Sequence, residues 1–130
     1  MDIIISYWIK LSDEKWKTAE GLIKLRRYAD SLFFCHLSLE ALLKAAVVIK
    51  IKESAPLTHD LSKLAHISGL DFNEEQNEFL NEITTFNIKT RYDDYKYSFY
   101  KKATKSYAEK YFKIANNLRL WIKKNIHLKK

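Results

Sequence analysis

Between Tyr28 and Lys52 apolar residues recur at steps of three and four: Leu32, Cys35, Leu39, Leu42, Ala46 and Ile49. Phe33, Phe34, Leu37, Leu43, Val47 and Val48 widen that stripe over most of a helix's circumference. A helix so apolar on nearly every side is stable in water only when neighbours enclose it, so this segment dictates a fold packed around one long central helix. Its polar residues His36, Glu40 and Lys44 stand at i, i+4 and i+8. They form a single ladder along which acid and base can pair.

The neighbours are also helical. With two Gly and one Pro in 130 residues, turns must be few and regular segments long. The length suits one domain, residues 1–130, with a core of its own. Trp8, Leu11, Trp16, Ala19, Leu22 and Ile23 mark a first amphipathic helix ending near Leu25, and Arg26 and Arg27 interrupt the pattern before Tyr28. Ala55-Pro56-Leu57 closes the central helix, and Thr58 is placed to cap a short helix that holds His59 in its first turn and runs to about Ser68. Gly69 ends it. Asn73 with Gln76 three residues on forms a variant capping box, opening a helix through Phe79, Leu80, Ile83 and Phe86. Asn87 to Lys96 is less regular. Ala103, Tyr107, Tyr111, Ile114, Leu118 and Trp121 then mark a last helix ending near Lys124. The expectation is an all-α domain of five helices.

Several chemistries are set aside by what is missing. Cys35 is the only cysteine, so no intrachain disulfide forms and no Cys/His set at zinc spacing exists. No Ser/His/Asp order, Gly-rich nucleotide cradle or carboxylate-histidine metal motif is present, and no metal or other cofactor is expected. Asp2 stands where a leader's basic patch would be, and the apolar stretches are read as shorter than the roughly 20 residues of a membrane span, so a cytoplasmic protein without membrane contact is expected.

Charge is distributed unevenly. Residues 101–130 hold ten Lys or Arg against one acid, Glu109, for a net +9, while the first hundred sum to −2. That asymmetry suits an acidic partner, nucleic acid or protein, and equally a solvated lysine-rich helix face. The stretch 90–97, Thr-Arg-Tyr-Asp-Asp-Tyr-Lys-Tyr, places one guanidinium and three phenols together. Such groups stack on bases and hold phosphates, or anchor a loop through an Arg91 to Glu40 ion pair. Of the four histidines, His127 lies in a charged tail and His66 on a helix surface. His36 and His59 are the two that could titrate within a site.

The runs Tyr28-Ala-Asp-Ser-Leu-Phe-Phe-Cys-His-Leu-Ser-Leu-Glu-Ala-Leu-Leu-Lys-Ala45, Thr58-His-Asp-Leu-Ser-Lys-Leu64 and Arg91-Tyr-Asp-Asp94 occur in that order. Together they resemble the HEPN domain, named for higher eukaryotes and prokaryotes nucleotide-binding, over roughly residues 8–124. The resemblance implies an up-and-down bundle of four to five helices that often dimerises through faces lining a shared cleft. It also implies a place beside a minimal nucleotidyltransferase in a toxin-antitoxin pair, with active members acting as metal-independent ribonucleases. Their signature is an arginine followed four to six residues later by a histidine. Here Arg91 supplies the arginine, while Lys96, Tyr97 and Ser98 occupy the histidine's positions. Lysine and tyrosine do not ordinarily titrate near neutrality, so the signature lacks its proton-transfer group.

The reading that follows is a non-catalytic, homodimeric module binding nucleotide, RNA or a nucleotidyltransferase partner. Arg91 and Tyr92 hold phosphate and base, Glu40 orients Arg91, and Lys44, His36 and His59 complete the set. The alternative is a ribonuclease toxin in which His36 or His59 serves Arg91 as the titrating group. A third reading takes the aromatic stripe of the last helix as an assembly surface.

Overall fold

A computed structural model describes residues 2–90 and 92–128, the side chains of residues 90, 127 and 128 excepted. Among the described residues there are six α-helices and one 3-10 turn, and no strand. The helices are α1 (Asp2–Lys24), α2 (Tyr28–Ile51), α3 (Leu61–Ser68), α4 (Glu74–Thr84), α5 (Asp93–Lys102) and α6 (Lys105–Leu128), with the 3-10 turn at Ile88–Thr90. The architecture is the expected all-α bundle around one long central helix.

α1 and α2 form an antiparallel hairpin joined at Arg26 and Arg27. Arg27 N–H donates to Leu22 O at 2.9 Å and Arg26 N–H to Ile23 O at 3.0 Å, the paired bonds of a Schellman turn. Such a turn needs one left-handed residue, and here that residue is Arg26, at φ 62°. A side chain in that conformation costs about 1 kcal/mol, offset by the satisfied helix-end carbonyls. The hairpin's inner seam is made of small residues. Ser12 Oγ donates to Ser38 O at 2.7 Å, Ser38 Oγ to Ser12 O at 2.9 Å and Ser31 Oγ to Ala19 O at 2.8 Å, all buried. Short side chains whose hydroxyls turn back onto the facing backbone let the two helices approach closely without an unpaired polar atom.

α6 covers the opposite side of α2 with Ala108, Tyr111, Ala115, Leu118, Ile122 and Ile126. Trp16 of α1 stacks on Phe112 of α6, 4.7 Å between ring centres. α3 packs across a third side of α2. Seventeen of the 24 residues of α2 are buried in consequence. By length and composition α2 is apolar enough to cross a membrane, which corrects the expectation that no stretch here approaches that length; 78% of the stretch is instead buried inside the bundle.

Two boundaries differ from expectation. Asp60, not Thr58, caps α3, accepting from Ser62 N–H at 3.0 Å and Lys63 N–H at 3.2 Å. Thr58 Oγ1 instead takes the Asp60 N–H at 3.2 Å, one step ahead of the cap, so both bonds form together and the helix begins at the buried Leu61. The segment read as irregular followed by one helix from Ala103 is a separate helix, α5, broken from α6 at Ala103 and Thr104; α6 then runs past Lys124 to Leu128. Gly69 ends α3 at φ 72°, and the Asn73–Gln76 capping box opens α4 with both of its reciprocal bonds in place, as expected.

A candidate binding site over the polar seam of α2

The ladder on α2 is a connected polar seam with Glu40 at its centre. Lys44 Nζ donates to Glu40 Oε2 at 3.0 Å, and His59 Nδ1 lies 2.9 Å from Glu40 Oε1. A nitrogen that close to a carboxylate carries the proton, so His59 donates through Nδ1 and keeps Nε2 for other partners. Glu40 and Lys44 are both buried, whereas the His59 side chain is 57% exposed. A buried carboxylate therefore fixes the orientation of a surface imidazole.

His36 works one layer below. Its Nε2–H donates to the backbone carbonyl of His59 at 3.0 Å and stands 3.8 Å from Glu40 Oε1. Its other nitrogen, Nδ1, is buried with no hydrogen-bond partner among the described residues. Burial, opposed by the bond to the His59 carbonyl and by Glu40, holds the imidazole below its ordinary pKa. His36 is thus a neutral residue that pins the loop carrying His59 to the central helix. The loop before α3 follows from that bond, since Pro56 and the cap at Asp60 leave no helix across 53–60.

Lys44 does not project into solvent. Its ammonium sits 5.3 Å from the Trp8 ring centre as well as on Glu40, and its charge is taken up within the seam. Trp8, read from periodicity as a core residue of the first helix, is the seam's wall on the α1 side. A lysine's habit of lying over an indole would have been the only signal for it.

Arg91 lies outside the described residues, as does the side chain of His127. Lys89 stands 5.8 Å from the ring centre of Phe33, one turn before His36 on α2. Tyr92, at the start of α5, is 87% exposed. Two further bonds draw this region toward His59: Leu61 N–H donates to Thr84 Oγ1 at 3.1 Å, and Tyr95 OH donates to Thr85 O at 3.0 Å. The end of α4 thereby links the start of α3 to the first turn of α5. Of the expected site residues, the structure brings together His36, Glu40, Lys44 and His59. Tyr92 stands at the start of α5 with its ring in solvent.

Other candidates resolve as structure. Cys35 is buried and burial raises its thiol far above the ordinary range, so it remains protonated. Among the described residues no three His, Cys, Asp or Glu side chains gather as a metal site. His66 is exposed on α3. Tyr111 and Leu118 of the aromatic stripe on α6 are buried in the chain's own core, which corrects the reading of that stripe as an assembly surface.

An all-α bundle whose central helix carries a buried polar seam toward one surface defines a class of small helical-bundle domains. The chain belongs to the HEPN domain family, whose sequence profile matches residues 5–126. The fold is similar to that in the crystal structure of TT1696 from Thermus thermophilus, with a TM-score of 0.76 at 20% identity, covering 92% of this chain and 96% of that one. No curated protein sequence matches the chain.

Proposed function

We propose that this HEPN domain is a non-catalytic binding module for a nucleotide or RNA, held by His59 and Tyr92. We further propose that it acts as a cytoplasmic homodimer beside a minimal nucleotidyltransferase in a toxin-antitoxin pair. The observation that carries the binding role is the Glu40–His59 pair, 2.9 Å long, which holds an exposed imidazole in one orientation over an otherwise neutralised seam. With Nδ1 committed to Glu40, Nε2 accepts from a base or ribose hydroxyl when neutral and donates to a phosphate when protonated. Arg91 adds a guanidinium suited to phosphate, and Tyr92 a ring suited to a base.

Titration of nucleotides and short RNA against wild type, Arg91→Ala and His59→Ala tests this reading. Affinity lost in both variants supports it; affinity absent in wild type, or unchanged in both variants, sinks it.

One observation favours the alternative, a ribonuclease. A carboxylate behind an imidazole whose outer nitrogen faces solvent is the arrangement of a general base with its orienting group, and His59 meets it. His36 does not, being fully buried. RNA cleaved by pure protein and spared by His59→Ala would establish that reading in place of the first.

A further inference from the structure

α5 is a helix that does almost nothing for the core. Of its ten residues only Phe99 is buried, against Phe86, and Tyr95 OH on Thr85 O, Tyr100 OH on Asp30 Oδ1 at 3.2 Å and Lys102 on Glu82 are its other ties. Its outward side carries Tyr97, 64% exposed, with Tyr92, 87% exposed, just ahead of it. No Leu, Ile or Val accompanies them, so this is not the apolar centre of a protein interface.

The charge around these rings is positive. Residues 95–113 contain six lysines against one acid, Glu109. The two acids at the head of α5 offset part of that charge next to Tyr92: Asp94 Oδ1 accepts the Tyr95 N–H at 2.8 Å, and Asp93, fully exposed, stands 3.9 Å from Lys96 Nζ. Lys102 is engaged by Glu82 at 2.7 Å. Lys101 has its ammonium 5.2 Å from the Tyr97 ring centre, one helical turn along the same face. Lys105 opens α6 just beyond the two-residue break. A cation in the first turn of a helix is opposed by the helix dipole, so its position there has no stabilising account.

Tyr97 and Lys101 stand one helical turn apart on α5, and Tyr92 exposes a second ring just ahead of the helix, so a ring for a base and an ammonium for a phosphate are offered side by side. Aromatic rings stack on bases of any sequence and flexible ammonium groups follow the phosphates. We propose that the outer face of α5, Tyr97 and Lys101, with Tyr92 ahead of it and Lys105 at the head of α6, is a stacking track for single-stranded nucleic acid. The proposal deepens the binding reading above and rests on it for the class of ligand, but it depends on different residues.

The test uses the full chain and fluorescein-labelled 12-mers, oligo(U), oligo(dT) and a 12-base-pair RNA duplex, followed by anisotropy, with AMP and UMP titrated separately. Wild type is expected to bind either single strand at least tenfold more tightly than a mononucleotide. Tyr97→Ala is expected to weaken the strand by about tenfold or more, and Tyr97→Phe to restore it, since the ring face and not the hydroxyl makes the stack. Lys101→Ala is expected to lower the slope of log affinity on log salt by about 0.7. A preference for oligo(U) over oligo(dT) assigns the track to RNA, and equal affinity assigns it to single strands of either sugar. The track is overturned if the 12-mers bind no better than mononucleotides, if Tyr97→Ala binds like wild type, or if the duplex binds as tightly as the strands. Strand binding that depends on Tyr97 but survives His59→Ala keeps the track and removes the seam as the ligand site. Mononucleotide binding that depends on His59, with none of the Tyr97 effects, does the reverse.

Discussion

α2 buries seventeen of its 24 residues, and α5 buries one of ten. Both carry aromatic rings and lysines, yet α2 turns two charged groups inward, pairing Lys44 with Glu40 under Trp8, while α5 leaves Tyr97 and Lys101 in solvent. The difference lies in what surrounds each helix. α2 is enclosed by α1, α3 and α6, so a polar group on it must be paired or bear the cost of desolvation. α5 is enclosed on one side only, so its polar groups keep their water.

The contrast breaks hardest at Glu40. Glu40→Ala leaves Lys44 buried without its partner, and a loss of about 3–5 kcal/mol in urea denaturation is expected. Replacing Glu40 and Lys44 together by Met should recover most of that loss, because the penalty belongs to the unpaired charge. Leu42→Ala, at a fully enclosed position of the same helix, should cost about 2–5 kcal/mol.

His36 gives the contrast a pH dependence. Its folded pKa is lowered, so above about pH 6.5 both folded and unfolded forms are neutral and stability is fully present. As pH falls below that value the unfolded chain takes a proton that the native imidazole resists, and stability declines by up to about 1.4 kcal/mol per pH unit until the folded pKa is passed. Subtracting the pH profile of His36→Gln from that of wild type, between pH 7.5 and 5, should isolate this slope; parallel profiles would show that the buried imidazole does not resist protonation. At the small end, Asn73→Ala removes one half of the α4 capping box for about 1 kcal/mol. Tyr97→Ala on α5 should change stability by less than about 0.5 kcal/mol, the value of an exposed site. A larger loss there would mean that α5 is part of the core after all.

The features legible in the sequence are those that local chemistry decides. The central helix, the Gly69 stop and the Asn73–Gln76 box all rest on residues within a turn of one another. α5 was not legible as a helix because Phe99 is its only buried residue, and Asp93 and Asp94 followed by three tyrosines read equally well as a loop. Its hold on the fold comes from Tyr95 reaching Thr85 and from Phe99 against Phe86, 5.5 Å between ring centres, contacts that spacing along the chain does not announce. In the site, the spacing of His36, Glu40 and Lys44 announced a ladder. That Glu40 would take His59 from a loop nineteen residues on, and that Lys44 would lie against Trp8, depends on how α1 and the loop before α3 fold over α2. The clamp of Tyr107 and Lys102 on Glu82 is a similar case: burial raises the Glu82 carboxyl, and those two donors outweigh it and hold it below its ordinary range.

The enclosure of α2 also sets an order of events during synthesis. The α1–α2 hairpin is complete by Ile51, but α6, which covers the other side of α2, is complete only at Leu128. At about 5–20 residues per second, the ribosome leaves that apolar face uncovered for on the order of 4–15 s. For that interval the nascent chain displays its stickiest surface to the cell, which makes residues 28–51 the segment a chaperone would meet first.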